Sequence, residues 1–174
     1  MTNGVERYDA LANAWTTLAP MPARRFQATA TCDGRGHILV IGGFDIDANA
    51  QTTTVYSYDI KADAWSQLGN APSSSIAANG GRVAVLGADG MVYLIGGFSA
   101  AQVASTEVFM FDPALFEWFT GPNLTVGRGT PAVALGNDGF ICAMGGDETF
   151  NGGGGNNGQA TVEKLDTVST HAPR

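Results

Sequence analysis

Asp89-Gly90-Met91-Val92-Tyr93-Leu94-Ile95-Gly96-Gly97 is a turn signal, a short apolar run and a double glycine in immediate succession. The run is too short for a helix, is bounded by turn residues and carries β-branched and aromatic members, which together describe a buried β-strand. Asp-Gly opens it with a pair suited to a tight hairpin, because glycine reaches positive φ without a Cβ penalty. The double glycine closes it where a side chain would clash or an unusual φ is needed. The same arrangement occurs at Asp33-Gly34 with His37-Ile-Leu-Val-Ile-Gly42-Gly43, and at Asp138-Gly139 with Phe140-Ile-Cys-Ala-Met-Gly145-Gly146; the double glycines are 54 and 49 residues apart.

Other signals share this period. Val5-Glu-Arg-Tyr8-Asp9, Val55-Tyr-Ser-Tyr58-Asp59, Val108-Phe-Met-Phe111-Asp112 and Val162-Glu-Lys-Leu165-Asp166 are 50, 53 and 54 residues apart. Each reads as a third strand whose Asp starts a turn. Trp15, Trp65 and Trp118, the only tryptophans, each lie seven residues after Tyr8, Tyr58 or Phe111 and open a fourth strand. Pro20, Pro72 and Pro122 then stop pairing. A further strand, such as Phe26-Gln-Ala-Thr-Ala-Thr31 or Ala132-Val-Ala-Leu135, leads to the next Asp-Gly. One period near 50 residues thus holds four antiparallel strands, one blade of a propeller. The fixed spacing of the aromatics assigns them to packing between blades, where they bury large area, rather than to ligand stacking.

At these residues the sequence resembles the kelch repeat family, whose pattern is an apolar run, Gly-Gly, a spaced Tyr-Asp and then Trp. The resemblance covers nearly all of the chain; Phe111 and Leu165 depart from it by replacing Tyr, and the last repeat has no Trp. It implies an all-β, kelch-type β-propeller. Residues 5–18 supply half a blade, 23–69 and 74–120 two full blades, 124–166 an incomplete blade and 167–174 a tail. That is about three and a quarter blades of four antiparallel strands, roughly half of the six- or seven-bladed ring the family implies. The chain is then a fragment of a longer protein, a truncated reading frame, or one of two copies that complete a ring as a homodimer. In the last case the first two strands of one copy's last blade join the N-terminal pair of the other.

Composition narrows the function. The formal net charge is −7 and the nine basic residues are scattered, which excludes a nucleic-acid or anionic-membrane surface. No apolar run is long enough to span a bilayer. The N-terminus lacks a signal-peptide pattern, and Cys32 and Cys142 are too few for a disulfide framework, which favours the cytoplasm. Both cysteines read as buried free thiols. Nothing implies a cofactor or a metal. Asp45, Asp47 and Asn49 alternate as in a calcium loop, but Ala50 and Tyr56 stand where that loop needs Gly and Glu. His37 and His171 have no partner at ligand spacing, Ser73-Ser74-Ser75 lacks nucleophile-elbow glycines, and no Gly-Lys-Ser/Thr makes a phosphate loop.

Binding loops on a rigid scaffold remain. The segments after each double glycine, 44–54, 98–107 and 147–161, vary most and read as flexible surface loops; they hold the candidates Asp45, Asp47, Asp147 and Glu148. The resemblance adds arginines, since kelch modules that capture acidic peptides carry Arg after the Met-Pro turn at the channel mouth. Arg25 matches that position, Arg128 more loosely and Arg82 more loosely still; each has the alternative of pairing with a neighbouring carboxylate. The expected function is a non-catalytic module for a protein or peptide ligand; the alternative is a fragment of a kelch-propeller enzyme, galactose-oxidase-like or sugar-converting.

Overall fold

The computed structural model describes residues 2–72, 81–99, 101–149 and 158–168, and all regular structure within them is β-strand. β1 (Val5–Asp9) and β2 (Ala14–Leu18) form a two-stranded antiparallel sheet. A four-stranded sheet follows, β4 (Thr29–Cys32), β5 (His37–Ile41), β8 (Thr54–Asp59) and β9 (Ala64–Asn70), then a second, β10 (Arg82–Leu86), β11 (Val92–Gly96), β12 (Val108–Asp112) and β13 (Glu117–Thr120). β14 (Ala132–Leu135), β15 (Phe140–Met144) and β16 (Val162–Asp166) make a three-stranded sheet. Every pairing in these four sheets is antiparallel, and within each sheet the strands follow in chain order, the meander of a propeller blade.

The registers explain the spaced aromatics. Ile38 faces Tyr58, which faces Trp65; Val92 faces Phe111, which faces Trp118; Tyr8 faces Trp15. The three ring pairs are nearly superposable, with centroids 5.1, 5.0 and 5.0 Å apart and planes tilted by 43°, 41° and 44°. Their first partner is therefore a cross-strand neighbour within the blade, worth about 0.5–1.5 kcal/mol beyond area burial. Packing between blades comes second and is uneven. Tyr58 and Phe111 are 4% and 2% exposed, whereas Tyr8 and Trp15 are 46% and 67% exposed. The indole N–H of Trp65 donates to the carbonyl of Ala19 at 2.9 Å, tying its blade to the preceding linker.

Two apolar clusters sit between blades. Leu39, Ile41 and Val55 meet Ala84, Val92, Leu94 and Phe109; on the next seam Tyr93, Ile95 and Met110 meet Ile141 and Ala143. Strand alternation sends odd and even positions of each strand to opposite neighbours. This corrects the expectation for the cysteines: Cys32 is exposed and Cys142 half-buried. Cys32 faces Ile38, which lines the space beside β1 and Leu18, and Cys142 lies on the face of β15 opposite to the packed Ile141 and Ala143.

The turn after the third strand repeats too. Asp9, Asp59 and Asp112 each accept two backbone N–H groups through Oδ1, from Leu11 and Ala12, Lys61 and Ala62, and Ala114 and Leu115. Asn13, Asp63 and Phe116 then adopt positive φ, 49°, 49° and 57°. Asn13 and Asp63 accept the hydroxyls of Tyr8 and Tyr58, both at 2.6 Å. Where the third-strand residue is Phe111, that hydrogen bond has no donor, and a 61%-exposed Phe116 occupies the strained position instead. Phe116→Asn should raise stability by about 0.5–1 kcal/mol, because Asn tolerates left-handed backbone far better than Phe. Adding Phe111→Tyr restores the hydroxyl and should raise it further, read as successive rises in the urea midpoint.

Two departures concern the loops. The first strand of the second blade is not continuous from Phe26 to Thr31: Gln27 has φ 55° and breaks it. β3 (Arg25–Phe26) leaves to pair with β6 (Phe44–Asp45), which pairs with β7 (Ala50–Gln51), so the segment 44–54 is a small hairpin rather than a free loop. The Asp-Gly connections are also longer than a two-residue turn. Gly90 and Gly139 close four-residue turns that begin at Gly87 and Gly136, with N–H to carbonyl distances of 3.1 and 3.0 Å. Residues 73–80, the whole glycine-rich 150–157 stretch and His171 lie outside the described residues. At the start of the tail, Thr167 is fully buried and donates to the carbonyl of Gly139 at 2.6 Å.

Candidate functional site

The double glycines build one corner of every blade. Gly42, Gly96 and Gly145 have φ of 64°, 67° and 61°, and Gly43, Gly97 and Gly146 have φ of 85°, 91° and 94°. A Cβ on the second glycine would stand 2.7 Å from Phe26 O in the first copy, 2.4 Å from Arg82 Cγ in the second and 2.7 Å from Gly129 O in the third. The chain bearing the candidate arginines passes over the vacant Cβ positions, so glycine is required by space as well as by φ.

Arg25, Arg82 and Arg128 all lie at this corner, with side chains only 3%, 5% and 0% exposed. Arg25 Nη1 lies 2.9 Å from Asp45 Oδ2, its guanidinium sits 5.2 Å from the Tyr56 ring centroid, and its buried Nε has no hydrogen-bond partner. Arg82 Nη2 donates to Glu107 Oε2 at 2.7 Å over the ring of Phe109. Burial pushes the Arg82 guanidinium below its usual pKa against the opposing pull of Glu107. Arg128 donates to Glu163 Oε1 at 3.1 Å, to the carbonyls of Gly145 and Thr161 at 2.7 and 2.9 Å, and to Thr161 Oγ1 at 2.7 Å. All three hold a carboxylate of their own chain, the alternative the sequence left open.

The loop carboxylates divide. Asp45 Oδ1 receives the N–H groups of Asp47 and Ala48, and Asp47 pairs with Arg24 at the surface. Asp45 and Asp47 are thus each committed to an arginine, and no group of three or more metal-ligating side chains exists among the described residues. Asp147 and Glu148 are exposed. Asp147 forms no ion pair among the described residues, while Glu148 accepts from Gln159. The backbone here is stitched within and across blades: Gly129 and Asp147 of the last blade exchange two hydrogen bonds of 2.8 Å, and from the preceding blade Ala104 N–H donates to Glu148 O at 2.8 Å while Val103 bridges Thr149. Two loops of neighbouring blades therefore form one continuous rim.

On the opposite end, the Asp of each Asp-Gly finds a different partner for its second oxygen: His37 Nδ1 at 2.8 Å from Asp33, the Tyr93 hydroxyl at 2.7 Å from Asp89 and Lys164 Nζ at 2.9 Å from Asp138. Burial alone would raise the Asp33 carboxyl; the N–H groups of His37 and Arg35 and the His37 ring outweigh it and hold the pKa below the ordinary range. For Glu163 burial is likewise opposed, by Thr125 and Arg128, with the same net lowering. A carboxyl depressed in the folded state stabilises the fold above its unfolded pKa and loses that contribution as pH falls through the folded one. Unfolding free energy should therefore hold steady near neutrality and fall below about pH 4. Asp33→Asn should cost about 1–3 kcal/mol at neutral pH and make the acid fall shallower, measured by urea titrations across pH.

The kelch motif family model matches residues 24–72 and 80–125. Kelch-like protein 35 of Mus musculus is 31% identical over 115 residues, 66% of this chain and 18% of that protein. Beta-scruin of Limulus polyphemus is 29% identical over 121 residues, 66% of this chain and 12% of that protein. The Kelch-like protein terF of Aspergillus terreus is 28% identical over 160 residues, 86% of this chain and 34% of that protein. The chain spans between 12% and 34% of the length of these relatives. With two blades inside the matched segments, and the double-glycine corner and aromatic row built alike in each, the chain belongs to the kelch repeat family.

Proposed function

We propose that this chain is a non-catalytic binding module for a protein or peptide ligand, engaged at the rim formed by the loops after the double glycines. The observation that carries the reading is the stitched pair of loops 98–107 and 147–149 with the exposed Asp147, which forms no ion pair among the described residues, and its neighbour Glu148. A rigid scaffold holding loops in fixed register is the usual platform for recognition. Arg25, Arg82 and Arg128 are buried on their own carboxylates, so in this reading they brace the loops, and the ligand meets carboxylates. The ligand then carries lysine or arginine. Kinship with Kelch-like proteins supports a protein partner, and two free thiols suit the reducing cytoplasm.

A fluorescein-labelled lysine-rich decapeptide tests this by anisotropy. It should bind, weaken with added salt, and lose about tenfold or more in affinity when Asp147 and Glu148 are both changed to lysine, since a like charge at the contact is costly. Preferential binding of a glutamate-rich decapeptide, or binding indifferent to the double substitution, would overturn the reading.

A further inference from the structure

β1 and β16 carry the same five-position pattern, Val-Glu-basic-apolar-Asp, in Val5-Glu6-Arg7-Tyr8-Asp9 and Val162-Glu163-Lys164-Leu165-Asp166. The two inner copies differ where it matters, with Tyr56-Ser57 and Phe109-Met110 in place of Glu followed by a cation. In β16 those two residues have defined work: Glu163 neutralises the fully buried Arg128, and Lys164 pairs with Asp138. In β1 the equivalent Glu6 and Arg7 are exposed and form no ion pair among the described residues.

We propose that the β1–β2 hairpin of a second copy of this chain takes the place of β16 beside β15, reciprocally, so that two copies close one ring of six four-stranded blades. In the register that β16 now uses, Cys142 faces Arg7, Ala143 faces Glu6 and Ile141 faces Tyr8. Glu6 then meets Arg128, and Arg7 meets Asp138. Tyr8 extends the row of apolar residue, third-strand ring and tryptophan, and β2 with Trp15 adds a fourth strand to the sheet that has three among the described residues. The 46% and 67% exposure of Tyr8 and Trp15 marks the rings that this row would cover. The other half of the fit is the cavity of about 720 Å³ between β1 and the second blade, lined by Val5, Arg7, Leu18, Ile38, Val40 and Arg25. Alternation on β15 directs Cys142 and Met144 of the partner copy into it, as Tyr93 and Ile95 fill the equivalent seam. Against this, the exchange gives up the hydrogen bonds of Thr167, whose counterpart in the first repeat is Ala10. The proposal does not depend on the ligand reading.

Facing residues in antiparallel strands have Cα atoms about 4.5–5.5 Å apart, within disulfide range. Arg7→Cys in a Cys32→Ser background should therefore give a covalent dimer with Cys142 under mild oxidation, seen on a non-reducing gel. The unmodified chain should sediment as a dimer of an 18.0 kDa subunit. Glu6→Lys, at an exposed position that the single copy does not use, should keep the fold by circular dichroism yet weaken the dimer about a hundredfold or more, by setting a cation against Arg128. A monomer with no crosslink, a crosslink that survives Cys142→Ser, or an open ladder of higher oligomers would each overturn the proposal. None of these outcomes bears on peptide binding at the rim.

Discussion

Gly96→Ala is expected to destabilise the protein by more than about 4 kcal/mol, while Gly90→Ala costs about 1–2 kcal/mol, the ordinary penalty of a left-handed L-residue. The two glycines have comparable φ, 67° and 81°, so conformation alone predicts similar losses. Space separates them. A Cβ at Gly90 meets nothing within 4 Å, whereas one at Gly96 stands 2.3 Å from the carbonyl oxygen of Arg128. That carbonyl cannot simply withdraw, because it accepts the N–H of Gly97 at 2.8 Å and so joins the third blade to the fourth. The methyl group must push the blades apart at the seam where Ile95 and Ile141 pack. Urea unfolding of both variants measures the difference. Equal midpoint shifts would mean that the double glycine is a matter of φ only.

That pair also shows why some of this fold could be read in the sequence and some could not. Double glycine, Asp-Gly and the Tyr-Asp turn each carry a local demand, a φ value or a hydrogen bond two or three positions away, so the one-dimensional pattern records them, although the close approach that also requires Gly96 is made by the distant Arg128. The spacing of Tyr and Trp was legible for a related reason, since seven residues across a tight turn fix a cross-strand register, but spacing alone assigns the rings to packing between blades, whereas each pairs first within its own blade. The break at Gln27 was not, because nothing in Phe26-Gln-Ala-Thr asks for positive φ; the demand comes from Gly43, whose empty Cβ position lies 2.7 Å from Phe26 O and Ala28 N. The hairpin of β6 and β7 follows from that same break. The burial of the two cysteines was misjudged because apolar neighbours along a strand do not reveal whether a blade covers that face. The arginines were found as positions but not as roles. Their carboxylate partners lie 20, 25 and 35 residues away, a distance that only topology closes. One signal was available for Arg128: Glu after the third-strand valine occurs in the first and last copies alone.

Arg128→Ala should cost about 3–5 kcal/mol, because truncating one member of a buried pair strands the other and unpairs the acceptors around it. Here those acceptors are Glu163, the carbonyls of Gly145 and Thr161 and the Thr161 hydroxyl, on both sides of the loop that carries the rim. Arg128→Lys should recover only part of the loss, since an ammonium cannot reproduce the planar fork that reaches two carbonyls and a carboxylate together. Arg24→Ala is the control. Its pair with Asp47 is solvent-exposed, and the urea midpoint should stay within error of the parent. Glu163 titrates below its ordinary range, so the coupling between Arg128 and Glu163, from a double-mutant cycle, should be full at neutral pH and vanish as acid protonates the carboxylate. A small, pH-independent coupling would mean that Arg128 is held by the carbonyls alone. In that case Glu6 of a partner copy would gain little from meeting Arg128, and the case for strand exchange would rest on Tyr8 and Trp15.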